Sequence, residues 1–95
     1  MPYRVIIKPK AEKDILRAPR EIREAVYREL RALSDDPWNP GTAPLKGGLK
    51  VYRKCRVGDY RIGYKVEKEK VVVLVMRVLP RGEIYKAMKN LAGKS

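Results

Sequence analysis

Apolar and polar positions alternate over Tyr3-Arg4-Val5-Ile6-Ile7-Lys8, which puts Tyr3, Val5 and Ile7 on one face of a short strand that Pro9 ends. The period then lengthens. Ala11, Ile15 and Leu16 recur at helical spacing between Lys10 and Arg17, and Ala18-Pro19 breaks that helix. From Arg20 to Ser34, Ile22, Ala25, Val26, Leu30 and Leu33 form one apolar stripe at spacings of three and four. Opposite charges lie four residues apart on its outer face, Arg20 with Glu24 and Glu24 with Arg28. These two segments predict a helical hairpin whose apolar side covers something, with an ordinary solvated face outward.

Asp36 to Pro44 contains Pro37, Pro40 and Pro44 and reads as a loop, with the Trp38 ring packed over an edge of the core. Lys46-Gly47-Gly48 continues the turn and matches no phosphate-loop spacing. From Lys50 the period changes to two. Val51, Arg53, Cys55 and Val57 share one face and Tyr52, Lys54 and Arg56 the other, before a tight turn at Gly58-Asp59. The return strand, Tyr60 to Val66, turns Tyr60, Ile62, Tyr64 and Val66 inward and Arg61, Gly63 and Lys65 outward. After a turn at Glu67-Lys68-Glu69, the segment from Lys70 to Leu79 is almost continuously apolar, as a central strand covered on both faces would be. Pro80 and Gly82 stop the sheet around Arg81, and Glu83 to Leu91 predicts a final helix with the stripe Ile84, Ala87, Met88 and Leu91.

The predicted fold is therefore α+β: a two-helix hairpin packed on one face of a mainly antiparallel four-stranded sheet, with a short C-terminal helix. The other face of the sheet is expected to be concave and basic. A chain of 95 residues with 44% hydrophobic content suffices for one core, so residues 1–95 are read as a single domain. The longest apolar run, Val71 to Met76, falls far short of the ~20 residues a membrane helix needs, and Met1-Pro2-Tyr3-Arg4 opens straight into the strand pattern. A cytoplasmic protein without a membrane partner is expected.

Composition narrows the chemistry. Cys55 is alone and there is no histidine, so neither an internal disulfide nor a zinc site is expected, and no cofactor. The usual general base of nucleases and esterases is absent too, which leaves Tyr, Lys, Arg, Asp and Glu for any catalysis. Cys55 reads as a small core filler. Net charge is +12, and it is uneven: residues 1–44 hold nine Lys/Arg against seven Asp/Glu, whereas residues 45–95 hold fourteen against four. Such an excess attracts polyanions, nucleic acid first and an acidic protein second. The high charge, the lack of Gln and the presence of only two Asn point to a heat-adapted source.

The string Tyr52-Arg53-Lys54-Cys55-Arg56-Val57-Gly58-Asp59-Tyr60-Arg61-Ile62-Gly63-Tyr64, followed by Val78-Leu79-Pro80-Arg81-Gly82-Glu83-Ile84-Tyr85-Lys86, resembles the RelE/ParE toxin superfamily. The likeness spans the chain. It includes the element order, a leucine-ending second helix before an Asp-Pro loop, and the Pro44 to Gly47 entry to the next strand. Within the superfamily it is nearest to the archaeal and thermophile RelE-like toxins.

The resemblance implies the toxin of a type II toxin–antitoxin pair. For the RelE branch it implies a metal-independent endoribonuclease that cuts messenger RNA in the ribosomal A site, against ribosomal RNA, and is neutralised by an acidic, RelB-like antitoxin. By the same resemblance Lys54 and Arg56 match the basic pair of the second strand, Arg61 the arginine of the hairpin, Arg81 the arginine after the last strand and Tyr85 the tyrosine just beyond. A ParE-type toxin, which shares the fold but binds and inhibits DNA gyrase without cutting RNA, is the alternative.

Those five residues suit attack of a ribose 2′-hydroxyl on its own 3′-phosphate. Fixed cations stabilise the extra negative charge of the transition state more than the ground state. Arg61 is the expected clamp, planar and always charged, with Arg81 at the leaving 5′-oxygen. Tyr85 acts as base only if its phenol falls below its usual pKa near ~10, which nearby cations favour, Lys54 or Arg56 assisting. Lys46, Lys50, Arg53, Lys65, Arg77 and Lys86 are further candidates for contact with nucleic acid. Of these Arg53, on the apolar face, is expected to pair with an acid, and Arg77 to reach the sheet edge.

Overall fold

Strand β1 (Arg4–Ile7) stops where Pro9 opens helix α1 (Pro9–Arg17). The proline ring presets a helical φ, and its missing N–H falls where a helix has no internal acceptor. Pro19 then separates α1 from α2 (Arg20–Asp35). The computed structural model describes residues 2–92. The hairpin is followed by β2 (Thr42–Pro44), β3 (Tyr52–Val57), β4 (Tyr60–Glu67), a 3₁₀ turn at Lys68–Lys70, β5 (Val72–Pro80) and α3 (Arg81–Ala92).

The strands form one sheet in the order β1-β5-β4-β3-β2, with β1 parallel to β5 and every other pair antiparallel. The sheet has five strands rather than the expected four. The extra one, β2, lies inside the proline-rich stretch read as loop, where three residues pair with Arg53 to Cys55 of β3. Pro44 is tolerated because β2 is an edge strand.

The hairpin α1–α2 covers one face. Ala11, Ile15, Val26, Leu30 and Leu33 meet Cys55, Val57, Ile62, Tyr64, Val73, Val75 and Val78 there, and the Tyr64 hydroxyl donates to the Pro37 carbonyl at 2.6 Å. Two residues assigned to this core are outside it: Leu16 lies on the solvent side of α1, and Val51 precedes β3 in a turn; both are largely exposed. Of the two expected helix ion pairs, Arg20–Glu24 forms at 3.6 Å, and among the described residues Glu24–Arg28 does not. Trp38 packs edge-on against Tyr3, with ring centroids 5.7 Å apart.

Val75 and Val78 both enter the helix-covered core although they are three residues apart, which strict alternation forbids. A bulge resolves the conflict. Gly63 lies opposite Arg77 and Tyr64 opposite Val75, so Met76 is an extra residue on β5 and the faces are reset.

The other face carries the last helix. α3 lies across β4 and β5 there, burying Ile84 and Met88 with Leu45 and Leu49 against Tyr52, Met76, Leu79 and Leu91. α3 also begins at Arg81, two residues before the expected Glu83.

β5 outruns its partner β1, whose pairing ends at Val75. Past that point α1 supplies a carboxylate in place of a strand. Asp14 accepts the Val78 N–H at 3.0 Å together with the Arg77 Nε and Nη2 at 2.7 and 3.0 Å. The hydrogen bond to Asp14 also holds the Arg77 proton more firmly than usual.

Candidate nucleic-acid site

Alternation along β3 and β4 sends Lys54, Arg56 and Arg61 to the face that carries α3. Arg56 lies directly opposite Arg61, and Lys54 directly opposite Gly63. Gly63 makes the rest possible. A Cβ there would stand 2.7 Å from Met88 Sδ and 3.3 Å from Ile84 Cδ1, so glycine lets α3 sit this close over β4 with Met88 undisturbed, and a larger side chain crowds it.

That approach brings the phenol of Tyr85 to Lys54. The Lys54 ammonium donates to the Tyr85 hydroxyl at 3.2 Å and stands 5.2 Å from the ring centre. The hydrogen bond from Lys54 lowers the phenol pKa below its ordinary value. Desolvation opposes it as the second-largest effect, and the Lys54 charge, the Lys46 backbone N–H and the Lys46 charge add smaller contributions in the lowering direction. The sequence-based expectation that cations beside Tyr85 depress it thus has a geometric basis in Lys54 and Lys46.

The second group of cations gathers at the β3–β4 turn. Gly58, at φ +57°, shapes that turn, and the Arg61 Nη1 donates to the carbonyls of Gly58 and Tyr60 at 3.0 and 2.9 Å. The Arg81 N–H donates to the Asp59 carbonyl at 2.8 Å, which ties the start of α3 to the same turn. Arg56 and Arg81 are exposed there. Arg81 and Tyr85 are four residues apart on α3, about 6 Å along the axis. Arg56 and Lys54 are two apart on β3, about 7 Å. The arginines and the Lys54–Tyr85 pair therefore form a strip running from the hairpin turn along α3.

The remaining candidates divide. Lys46 and Lys86 adjoin Tyr85 in a groove of about 560 Å³, lined also by Gly47, Leu49, Gly82 and Lys89. Lys50 is exposed just before β3. Lys65 lies at the far end of β4, in the register of Tyr52 and beside Glu67 to Lys70. Arg77 is engaged by Asp14. Arg53 is on the hairpin side, and its expected acidic partner is replaced by a hydroxyl: Nη2 donates to Thr42 Oγ1 at 2.8 Å, and the buried Nε has no partner among the described residues.

Sequence reading did not single out Gly63, Gly82, Lys89 or the Asp59 carbonyl. A glycine in an otherwise regular outward row, opposite Lys54, was the available signal for close approach of another element. Among the described residues no group of three His, Cys, Asp or Glu is placed to hold a metal ion, and no helix is long and apolar enough to cross a membrane.

Residues 5–85 match the family model described as the ParE toxin of the type II toxin–antitoxin system parDE. The chain is 33% identical over 87 residues to Toxin RelG of Mycobacterium tuberculosis, covering 90% of this chain and 99% of the relative. A RelBE toxin–antitoxin complex from M. tuberculosis holds a chain that superposes with a TM-score of 0.77 at 30% identity, covering 85% of this chain and 100% of that one. An arginine-to-alanine double mutant of the E. coli toxin RelE in the free state gives 0.78 at 26% identity, covering 95% and 97%. The archaeal RelE–RelB complex from Pyrococcus horikoshii gives 0.74 at 26% identity, covering 86% and 98%.

Proposed function

The chain belongs to the ParE toxin family of type II toxin–antitoxin systems, within the RelE/ParE superfamily, and on that premise we propose that it is a metal-independent endoribonuclease that cuts messenger RNA in the ribosomal A site. The observation that carries this reading is the Lys54–Tyr85 pair: a phenol held 3.2 Å from an ammonium, with a lowered pKa, on the strip that Arg56, Arg61 and Arg81 continue. A surface that only binds has no need of a phenol whose proton is loosened by neighbouring cations.

In the proposed reaction the Tyr85 phenolate takes the proton of a ribose 2′-hydroxyl. A bond forms between that oxygen and the adjacent phosphorus, and the bond from phosphorus to the 5′-oxygen breaks. Arg81 donates a hydrogen bond to the departing oxygen, which takes a proton from water while the proton on Tyr85 returns to solvent, and the products are a 2′,3′-cyclic phosphate and a free 5′-hydroxyl. Arg61, already oriented by two carbonyls, and Arg56 stabilise the phosphoryl oxygens as their charge increases. Tyrosine remains a weak base at neutral pH, so the ribosome is assigned the task of orienting the RNA, and free RNA is a poor substrate.

The neutralising partner in this reading is an acidic antitoxin, in keeping with the RelB chains of the structurally similar complexes. The test is to add the protein to a translation reaction and map messenger RNA 3′ ends. New ends that appear inside codons with the parent, and not with an Arg61→Ala/Arg81→Ala variant of unchanged fold, support the proposal. Full activity in that variant refutes the site.

The match to the ParE toxin family supports a second reading, in which the chain is a ParE-type toxin that we propose inhibits DNA gyrase without cutting RNA. Inhibition of supercoiling with no messenger RNA cleavage selects it.

A further inference from the structure

The clamp at the end of β5 joins the two layers of the molecule. By register Arg77 lies opposite Gly63, on the side of the sheet that carries α3, while Asp14 belongs to α1 on the other side. The guanidinium meets the carboxylate round the edge of β5 that β1 leaves bare beyond Val75. There Nε and Nη2 engage Asp14 Oδ2 and Oδ1 as a fork, and Oδ2 also accepts the Val78 N–H. Towards α3, Arg77 lines a cleft of about 320 Å³ together with Leu79, Gly82 and Glu83. The Asp14 hydrogen bond is the main hold on the Arg77 proton; burial works against it, and the charges of Asp14 and Glu83 add to it.

No loop separates this clamp from the strip. β5 ends at Pro80 and α3 starts at Arg81, so the strand end that Asp14 holds runs directly into the helix that carries Arg81 and Tyr85. Burial of Ile84 and Met88 presses α3 onto the sheet, but apolar burial is non-directional and does not fix how the helix is turned. Polar contacts do that from two sides: the Arg81 N–H on the Asp59 carbonyl beside β4, and Asp14 with Arg77 and Val78 on the bare edge. The margin is small. Lys54 and Tyr85 are 3.2 Å apart, at the long end of a hydrogen bond. The Tyr85 hydroxyl lies roughly 9 Å from the start of α3, so a turn of ~10° about that point moves it by about 1.5 Å and breaks the bond.

We infer that the Asp14–Arg77 ion pair is the positioning element of the strip: it sets the end of β5, and through it the start and direction of α3, so that Tyr85 stays on Lys54 and Arg81 stays at the β3–β4 turn. Arg77 is then a positioning residue, acting through Tyr85 and Arg81, and not a contact for RNA. What the pair positions is a catalytic site on the endoribonuclease reading, on which the inference rests; the environment of Tyr85 is measurable without it.

The test uses Asp14→Leu/Arg77→Met, which takes out the clamp without stranding a charge, and Arg77→Lys, which keeps one charged bond to Asp14 and gives up the fork. Val26→Ala shortens a buried side chain of α2, lowers stability without touching the end of β5, and serves as the control. Proteins carrying carbon-13 at the tyrosine Cζ are titrated by NMR, the Tyr85 signal being the one of six that Tyr85→Phe removes. Circular dichroism checks the fold, and kcat and KM for messenger RNA cleavage are measured on programmed ribosomes.

In the double variant the Tyr85 titration should move up towards its position in Lys54→Met. Its kcat should fall by about tenfold or more with KM little changed, since a misplacement near ~1 Å is worth up to ~10²-fold. Arg77→Lys should fall between the double variant and the parent in both readouts, and Val26→Ala should match the parent. A parent-like Tyr85 titration in the folded double variant overturns the inference, whether or not cleavage is lost. Should that variant not fold, Arg77→Lys is judged by the same criterion. A shift in Val26→Ala as large as in the double variant also overturns it, because the effect is then one of stability alone. A shifted Tyr85 in the double variant, with a parent that cuts no messenger RNA, keeps the clamp as what sets the Lys54–Tyr85 contact and removes the nuclease reading.

Discussion

Replacing Asp14 with alanine removes one acceptor from three donors at once. The Asp14 side chain is 4% exposed and that of Arg77 21%, so the pair sits near the low-dielectric end of its range. Breaking a buried pair by deleting one partner costs about 3–5 kcal/mol, chiefly because the remaining charge is uncompensated. Arg77 keeps some access to water, which places its share near the lower bound, about 3 kcal/mol. The Val78 N–H, left without a partner where β1 has ended, adds about 1 kcal/mol or more. A total loss of about 4 kcal/mol is expected from Asp14→Ala, a large part of the ~5–15 kcal/mol that holds a typical domain together.

Urea unfolding followed by far-ultraviolet circular dichroism reads this directly, as a lowered midpoint with an unchanged slope. The double variant Asp14→Leu/Arg77→Met removes the stranded charge and fills the space, so it should recover more than half of the loss and retain only the cost of the Val78 N–H. A loss under about 1 kcal/mol in Asp14→Ala means the carboxylate does not hold the end of β5. A double variant as unstable as the single one means the cost does not come from the unpaired guanidinium. Either outcome overturns this account of Asp14.

Tyr85→Phe keeps the ring packed beside Leu45 and Leu49 and removes the proton acceptor, so messenger RNA cleavage should fall by ~10²-fold or more while the melting temperature holds. Lys54→Met removes the hydrogen bond and charge that lower the Tyr85 phenol, so its pKa rises toward ~10 and less phenolate is present at neutral pH. The pH–rate profile should shift to the alkaline side, with activity partly regained at high pH; an unshifted profile removes Lys54 from the role assigned to it. Gly63→Ala should cost about 1 kcal/mol, since the end of Met88 can swing aside, and Gly63→Val about 2–3 kcal/mol with a loss of cleavage as α3 lifts. Cys55 is buried, and burial first and then Glu29 push its thiol up to about 12, so an aqueous thiol reagent at mild pH should label it only as the protein unfolds in urea. Rapid labelling of the native protein contradicts that placement.

The basic residues of the proposed strip were legible in the sequence because strand alternation is local. Lys54, Arg56 and Arg61 share a face whatever the rest of the chain does, once β3 and β4 form a hairpin about Gly58-Asp59. Tyr85 and Arg81 came from a resemblance, and their adjacency to that face depended on where α3 docks. The pairing of Arg53 went wrong for a related reason. Its position on the apolar face was read correctly, but its partner Thr42 lies on β2, a strand hidden within a proline-rich stretch whose local preferences favour loop.

Periodicity and residue counts, which need only near neighbours, set the elements and their faces: the helical hairpin stripe, the alternating β3–β4 pair, the apolar β5 and the concentration of positive charge in the second half. Long-range packing set the edge strand β2, the bulge at Met76, the capping of β5 by Asp14 and the docking of α3 over Gly63. Each of these joins residues distant in sequence, chosen because the contact satisfies a backbone group or fills a space that no local pattern records. The Lys54–Tyr85 contact, 31 residues apart, is of the same kind: the residue types are written in the chain, and the 3.2 Å between them is set by the packing of a helix on a glycine.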